Sequence, residues 1–152
     1  MSVSARLAEL GIELPPVAAP VAAYVPAVVH GGLVYTSGQL PFVDGALPAT
    51  GKVGADVSAE DAKTYARTCA LNALAAAADA AGGVDCIGGV LRVGGFVGSA
   101  DGFTGQPAVI NGASEVLGEI FGDAGRHARA AVGVAELPLG SPVEVEVTFL
   151  LA

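Results

Sequence analysis

The spacing of apolar and polar positions changes several times along the chain, and each change marks an element. Val3, Leu7 and Leu10 recur at helical spacing within residues 3–10, and Gly11 followed by Pro15-Pro16 ends the pattern. This predicts a short N-terminal helix. The Pro-punctuated run VAAPVAAYVPAVV (17–29) reads as extended and leads into two β-branched segments, 26–30 and 33–37, around His30-Gly31-Gly32. A β-hairpin with a three-residue loop is expected there. Residues 40–57 hold prolines and glycines without a sustained period, which marks a long irregular connection, and such loops in compact domains are more often functional than idle. Ser58 supplies a helix N-cap with Glu60 and Asp61 in the first turn, and apolar positions from Ala62 to Ala77 follow helical spacing until Gly82-Gly83. A long helix over 58–81 follows, its contact face mostly alanine and suited to lying close on a sheet.

Residues 87–98 (IGGVLRVGGFVG) read as a strand whose interior glycines signal bulges or close backbone approach. Val109, Ala113, Val116, Leu117 and Ile120 form one helical stripe over 106–122. The tail gives two strands, 128–136 and 143–151. In the last, Val143, Val145, Val147 and Phe149 face one way and Glu144, Glu146 and Thr148 the other. The order α-ββ-α-β-α-β-β, with no internal repeat or linker, predicts one α+β domain with helices on one face of a sheet.

Composition adds constraints. The 152 residues are 53% apolar but only 14% charged, against roughly 25% in typical soluble proteins, and they include 22 Gly and 9 Pro. Few charges and many small residues suit extensive contact with other chains, so oligomerisation is expected. The net charge of −8 offers no basic footprint for phosphates, which argues against a nucleic-acid partner. The N-terminus lacks a signal-peptide core, and LNALAAAADAAGGV (71–84) is too short and too interrupted to span a bilayer, so no membrane partner and a cytoplasmic location are expected. Cys69 and Cys86 are too few and too far apart for a redox pair or zinc site and read as buried, reduced thiols. His30 and His127 lack an acidic or thiol cluster at ligand spacing, so no metal site is expected, and both read as turn or surface residues. Neither a phosphate loop, a G-x-S-x-G elbow nor a dinucleotide fingerprint is present.

A small polar set remains. Arg129 opens a strand whose same-face neighbours are Ala131 and Gly133, leaving room for a small molecule beside a guanidinium that can hold a carboxylate bidentately. The alternative is a strand-end arginine bridging to an acid of its own or a neighbouring subunit, and spacing alone leaves both open. Glu144 is either a general base or a solvated strand carboxylate. Tyr24 and Ser37-Gly38-Gln39 offer hydroxyls and backbone N–H groups, while Asn111 reads by default as a helix-surface or capping amide.

The stretches YVPAVVHGGLVYTSGQLP (24–41), QPAVINGASEVLGEIFG (106–122) and RHARAAVGVAELPLGSPVEVEVTF (126–149) resemble the RidA, or YjgF, family of enamine/imine deaminases. The N-terminal helix and the G-R-H-A-R run are similar to its longer branch, often labelled chorismate-mutase-like. The resemblance implies a chorismate-mutase-like α+β fold over residues 1–152. It has two main helices on one face of a mixed sheet and a short N-terminal helix in an extension over 1–16. It also implies a homotrimer with pockets at subunit interfaces and no cofactor. Carried over by position, Arg129 matches the arginine that binds the substrate carboxylate, and Glu144 matches the acid that positions the hydrolytic water. Tyr24, Ser37 and Gly38 match residues lining the pocket, and Asn111 matches a polar helix position near it. Many members carry a cysteine where this chain has Ala131, so thiol chemistry is excluded at that position. The activity implied is hydrolysis of 2-imino acids to 2-keto acids and ammonia. The competing expectation is a non-catalytic trimer that binds keto-acid-like carboxylates. Ribonuclease and chorismate mutase activities fit the residues less well.

Overall fold

Alternation in the C-terminal strand decides how the layers stack. The computed structural model describes residues 1–17 and 23–152, so the middle of the Pro-punctuated run, 18–22, lies outside the described residues. Five strands form one mixed sheet: β1 (Ala27–His30), β2 (Leu33–Thr36), β3 (Ile87–Gly98), β4 (Ala128–Val134) and β5 (Val143–Leu151), in the order β1-β2-β5-β3-β4. Strands β3 and β4 run parallel and the other neighbours antiparallel. A parallel pair needs a crossover, which the helix α3 (Gln106–Phe121) supplies. Val143, Val145, Val147 and Phe149 are buried beneath α3 and the long helix α2 (Ala59–Ala81), together with Val34, Val93 and Val97. Among the described residues, the opposite face of the sheet carries no helix.

The predicted elements fall where the sequence places them to within two residues at each end, β4 stopping at Val134 rather than 136, and the hairpin loop and one cysteine also differ. His30 pairs directly with Leu33, so the hairpin loop is the two residues Gly31-Gly32 rather than three. Both have positive φ, 58° and 79°, which is the two-residue turn that matches strand twist and that side chains other than Asn, Asp or Gly resist. Cys69 is buried, its thiol pushed well above its ordinary range by desolvation and then by the charge of Glu144. Cys86, against expectation, is exposed, because it ends a 3-10 turn just outside the core.

The interior glycines of β3 mark both features that the sequence suggests. The register against β5 shifts between Ile87 and Gly89 and again between Val90 and Arg92, and a Cβ on Gly95 would meet Ile110 of α3 at 2.5 Å. Ser58 caps α2 by accepting from Asp61 N–H at 3.1 Å, and Gly82 ends it with φ 91°. The first helix, α1 (Val3–Leu10), buries Leu7 in the core and adds polar contacts: Ser4 N–H and Oγ donate to the Asp85 carboxylate at 2.8 and 2.7 Å, and Arg6 Nε donates to Glu119 O at 2.9 Å. Those two donors from Ser4 hold Asp85 below the usual carboxylate range.

The alanine face of α2 serves α3 as well as the sheet. A Cβ added to Gly112 would collide with the Lys63 carbonyl, so the helices cannot keep this distance with any larger residue. Gly112→Ala is expected to cost about 1–3 kcal/mol by overpacking. Gly118→Ala in the same helix meets nothing within 4 Å and should gain up to about 1 kcal/mol from helix propensity. Urea midpoints of the two variants check this pair of opposite signs.

Candidate functional site

The candidate residues gather in two groups on opposite faces of the sheet. The first gathers around Glu144, whose side chain points to the open face. Thr36 Oγ1 accepts from Val147 N–H at 3.0 Å, and Gln39 exchanges two backbone bonds with Val145, so residues 36–39 continue beside β5 past the end of β2. Gly38 therefore lies against Glu144. A Cβ there would overlap the Glu144 carboxylate, so only glycine lets the backbone approach that oxygen. The Gly38 N–H has no bond among the described residues. Its neighbours are committed, Ser37 N–H to Pro26 O at 2.8 Å and Gln39 N–H to Val145 O at 2.8 Å. Of the backbone donors expected in this segment, only Gly38 is thus free to meet a ligand. The Ser37 hydroxyl donates to Val25 O at 2.7 Å, which ties down the segment next to Tyr24. That bond uses the only proton of the Ser37 hydroxyl, so its oxygen can otherwise only accept.

Tyr24 and Gly38 line a cleft of about 670 Å³ together with Pro26, Leu40, Phe42 and Asn72. The irregular connection supplies Leu40 and Phe42, and Asn72 Nδ2 holds it by donating to both carbonyls, at 3.0 and 3.2 Å. Glu144 is half-buried beside this cleft. Burial, and secondly repulsion from Glu146, raise its pKa above the usual carboxylate range, which moves it toward the range of a working base.

The second group lies on the helix side. Arg129 pairs with Val93, which pairs with Val147, whereas Glu144 pairs with Phe96 and Phe96 with Val132. Successive side chains alternate faces, so Arg129 and Glu144 point to opposite sides of the sheet, on strands separated by β3 at about 5 Å per step. Arg129 Nη1 donates to Ser114 Oγ at 3.1 Å, and Nη2 donates to Pro107 O at 3.0 Å. Neither donation goes to an acid, and among the described residues Arg129 forms no ion pair. The strand-end bridge within one chain is therefore set aside. Asn111 follows Pro107 by four positions and precedes Ser114 by three, so it shares the helix face that holds the guanidinium. Arg129 is thus held by the α3 face that carries Asn111, while Tyr24 and Gly38 line one cleft with Glu144 against Gly38 and Ser37 next to it; within one chain the two groups stay apart.

Sequence reasoning missed Ser114 and misplaced His127. His127 is half-buried rather than a free surface group, with Nδ1 2.6 Å from Gly125 O and Nε2 2.9 Å from Ser114 Oγ. The one available signal was that Ser114 falls on the same α3 stripe as Pro107 and Asn111.

A five-stranded mixed sheet with two helices on one face and a small third helix defines a chorismate-mutase-like α+β fold. A family model described as "YjgF/chorismate_mutase-like, putative endoribonuclease" matches residues 4–151, and the chain belongs to this YjgF family. Protein TCP17 of Trypanosoma cruzi is 43% identical over 145 residues, 95% of this chain and 91% of its own length. The crystal structure of Atu1372 from Agrobacterium tumefaciens is similar at TM-score 0.90 and 42% identity, covering 99% of this chain and 92% of that one. The structure of E. coli TdcF with bound serine is similar at TM-score 0.64 and 26% identity, covering 91% of this chain and 94% of that one.

The raised Glu144 pKa has a definite sign in stability. The folded chain keeps a proton on Glu144 at pH values where the unfolded chain, with a pKa near 4.3, has lost it. Stability therefore falls as pH rises through the interval between the unfolded and folded values. Glu144→Gln removes this penalty, so its stability relative to the parent should increase as pH rises from about 4 through that interval. Urea unfolding of both proteins across that range checks it, and Glu146→Gln should shrink the pH-dependent difference by removing the neighbouring charge.

Proposed function

We propose that this protein hydrolyses 2-imino acids, formed by tautomerisation of the corresponding enamines, to 2-keto acids and ammonia. The reaction takes place in pockets completed between copies of the chain, which assemble as a homotrimer. The observation that carries this reading is the division of the candidate residues. A carboxylate clamp sits on the helix side of the β4 edge and a raised-pKa carboxylate on the open face, too far apart for one chain to bring both to one small molecule. The open face supports contact with a second copy, because Val28, Tyr35, Val132 and Leu150 on β1, β2, β4 and β5 are all exposed there. Ring symmetry would set Arg129 of each copy against Glu144 of the next. The serine bound to TdcF is consistent with a pocket of amino-acid size in this family.

Arg129 grips the substrate carboxylate, with Asn111 beside it on α3. The Gly38 N–H and the Tyr24 hydroxyl orient the rest of the molecule. Glu144 accepts a proton from water as its oxygen bonds to the electrophilic C2 and passes it to the imine nitrogen, giving the carbinolamine. It then takes the remaining hydroxyl proton as the C=O forms and delivers it to the nitrogen as the C–N bond breaks, so both water protons leave on ammonia. Water, imine, keto acid and ammonia balance without a cofactor. Because imines already hydrolyse in water, orientation and proton transfer through one carboxylate supply the modest acceleration required. Ala131 leaves no thiol beside Arg129, and this route uses none. A charge of −8 argues against RNA as the substrate, and a cytoplasmic location completes the reading.

Two substitutions test the roles. Arg129→Lys keeps the charge but loses the planar fork, so turnover and 2-keto-acid affinity should both fall, each by about tenfold or more. Glu144→Gln keeps size but cannot take a proton, so it should bind keto acid nearly as the parent does and lose about 100-fold or more in kcat. Ammonia release from imines generated by an amino-acid oxidase, together with calorimetry of 2-oxobutanoate binding, measures both. Full keto-acid affinity in Arg129→Lys would remove the clamp. Binding without any turnover in the parent would leave a carboxylate-binding trimer instead of an enzyme.

A further inference from the structure

The half-buried His127 takes no part in the mechanism above, yet it forms one end of a continuous chain of side-chain bonds that ends on Arg129. The chain can be oriented from the chemistry of its members. Gly125 O can only accept, so Nδ1 of His127, 2.6 Å away, carries the proton. In the neutral ring Nε2 is then an acceptor, and the Ser114 hydroxyl, 2.9 Å away, donates to it. With its hydrogen turned toward His127, Ser114 Oγ presents lone pairs to Arg129 Nη1 at 3.1 Å. Each link has one donor and one acceptor, and no alternative orientation of the neutral set satisfies all three. Pro107 O accepts from Nη2 at 3.0 Å, so the guanidinium is held at both terminal nitrogens by one face of α3.

We propose that Ser114 and His127 are positioning residues that fix the plane of the Arg129 guanidinium, so that its remaining N–H donors are aimed before a carboxylate arrives. A free arginine side chain carries several rotatable bonds, and immobilising it on binding would cost affinity that this arrangement has already offset during folding. His127 acts at one remove. Its Nε2 lone pair determines which way the Ser114 hydrogen turns, and hence whether Oγ offers Arg129 a lone pair or a competing hydrogen. The second anchor, a helix carbonyl, needs no such control. Three side chains from α3, the segment after it and β4 thus act as one unit, placed by the crossover that carries the chain from β3 to β4.

The inference rests on the reading of Arg129 as the carboxylate clamp, and two readouts separate its failure from the failure of that reading. In the ligand-free protein, NMR of the Arg129 guanidinium should show slow rotation in the parent and in Ser114→Thr, which keeps the hydroxyl. Rotation should be fast in Ser114→Ala and in His127→Phe. Slow rotation persisting in both of the latter would overturn the positioning role whatever the protein binds. With 2-oxobutanoate as the probe, Ser114→Ala and His127→Phe should each weaken binding about tenfold, the double variant no further, and Ser114→Thr little. For turnover the same variants should raise KM more than they lower kcat, since the clamp grips ground and transition states alike. In an Arg129→Lys background neither substitution should weaken binding further. Additive losses there would show that Ser114 and His127 act on the fold and not through Arg129, and so would contradict the proposal.

Discussion

Val143, Val145, Val147 and Phe149 point one way from the middle of the sheet, and Glu144 and Glu146 point the other. Both layers depend on that division. The apolar set is buried fully beneath α2 and α3, so the strand cannot slip by one residue without placing two carboxylates in the core and four large apolar groups in solvent. Register is thereby fixed for β2 and β3, which pair with β5 on either side, and through β3 for β4. The location of Glu144 is a consequence of the same rule that builds the core, as is the placement of Arg129 on the helix side.

Small residues make the second constraint. Gly38 over Glu144, Gly94 beside Glu146, Gly95 under Ile110 and Gly112 against Lys63 are four places where a Cβ would meet an occupied position. Two of them bring α3 close to the sheet and to α2, and two let backbone lie against the carboxylates of β5. In a chain with so few charges, these approaches define the surroundings of the ones that remain. Glu144 is kept half-buried by a glycine beside it, and its raised pKa follows from that burial before it follows from Glu146.

Much of this was legible in the sequence because it depends on period. The alternation of β5, the helical stripe of α3 and the capped α2 are local patterns, and the structure reproduces β3 at Ile87–Gly98 and α1 at Val3–Leu10 as read. The glycines of β3 were legible as bulges and close approaches, though not which neighbour each would meet. The expected hairpin loop is one residue too long, since sequence does not distinguish His30 as the last paired residue from His30 as a loop residue. Cys86 was read as buried because its type is commonly so, while its exposure depends on where the chain leaves α2. The resemblance named Arg129 and Glu144 but not that they face apart, which only strand order reveals. The Ser114–His127 bond was illegible for a similar reason. It joins a helix to the segment entering an edge strand across 13 residues, and no period connects them.

Our account stands or falls on whether Arg129 of one copy and Glu144 of another serve the same pocket. Mixing two inactive proteins tests this directly. Arg129→Lys and Glu144→Gln subunits, unfolded together in equal amounts and refolded, would form mixed rings in which about one interface in four combines an intact Arg129 with an intact Glu144. The account predicts that imine hydrolysis returns to about one quarter of the parent level, while the same proteins refolded separately and then combined stay inactive until subunits exchange. Mixed assemblies that form, as shown by native mass spectrometry, yet remain as inactive as either parent variant would place both residues in one chain's site and contradict it.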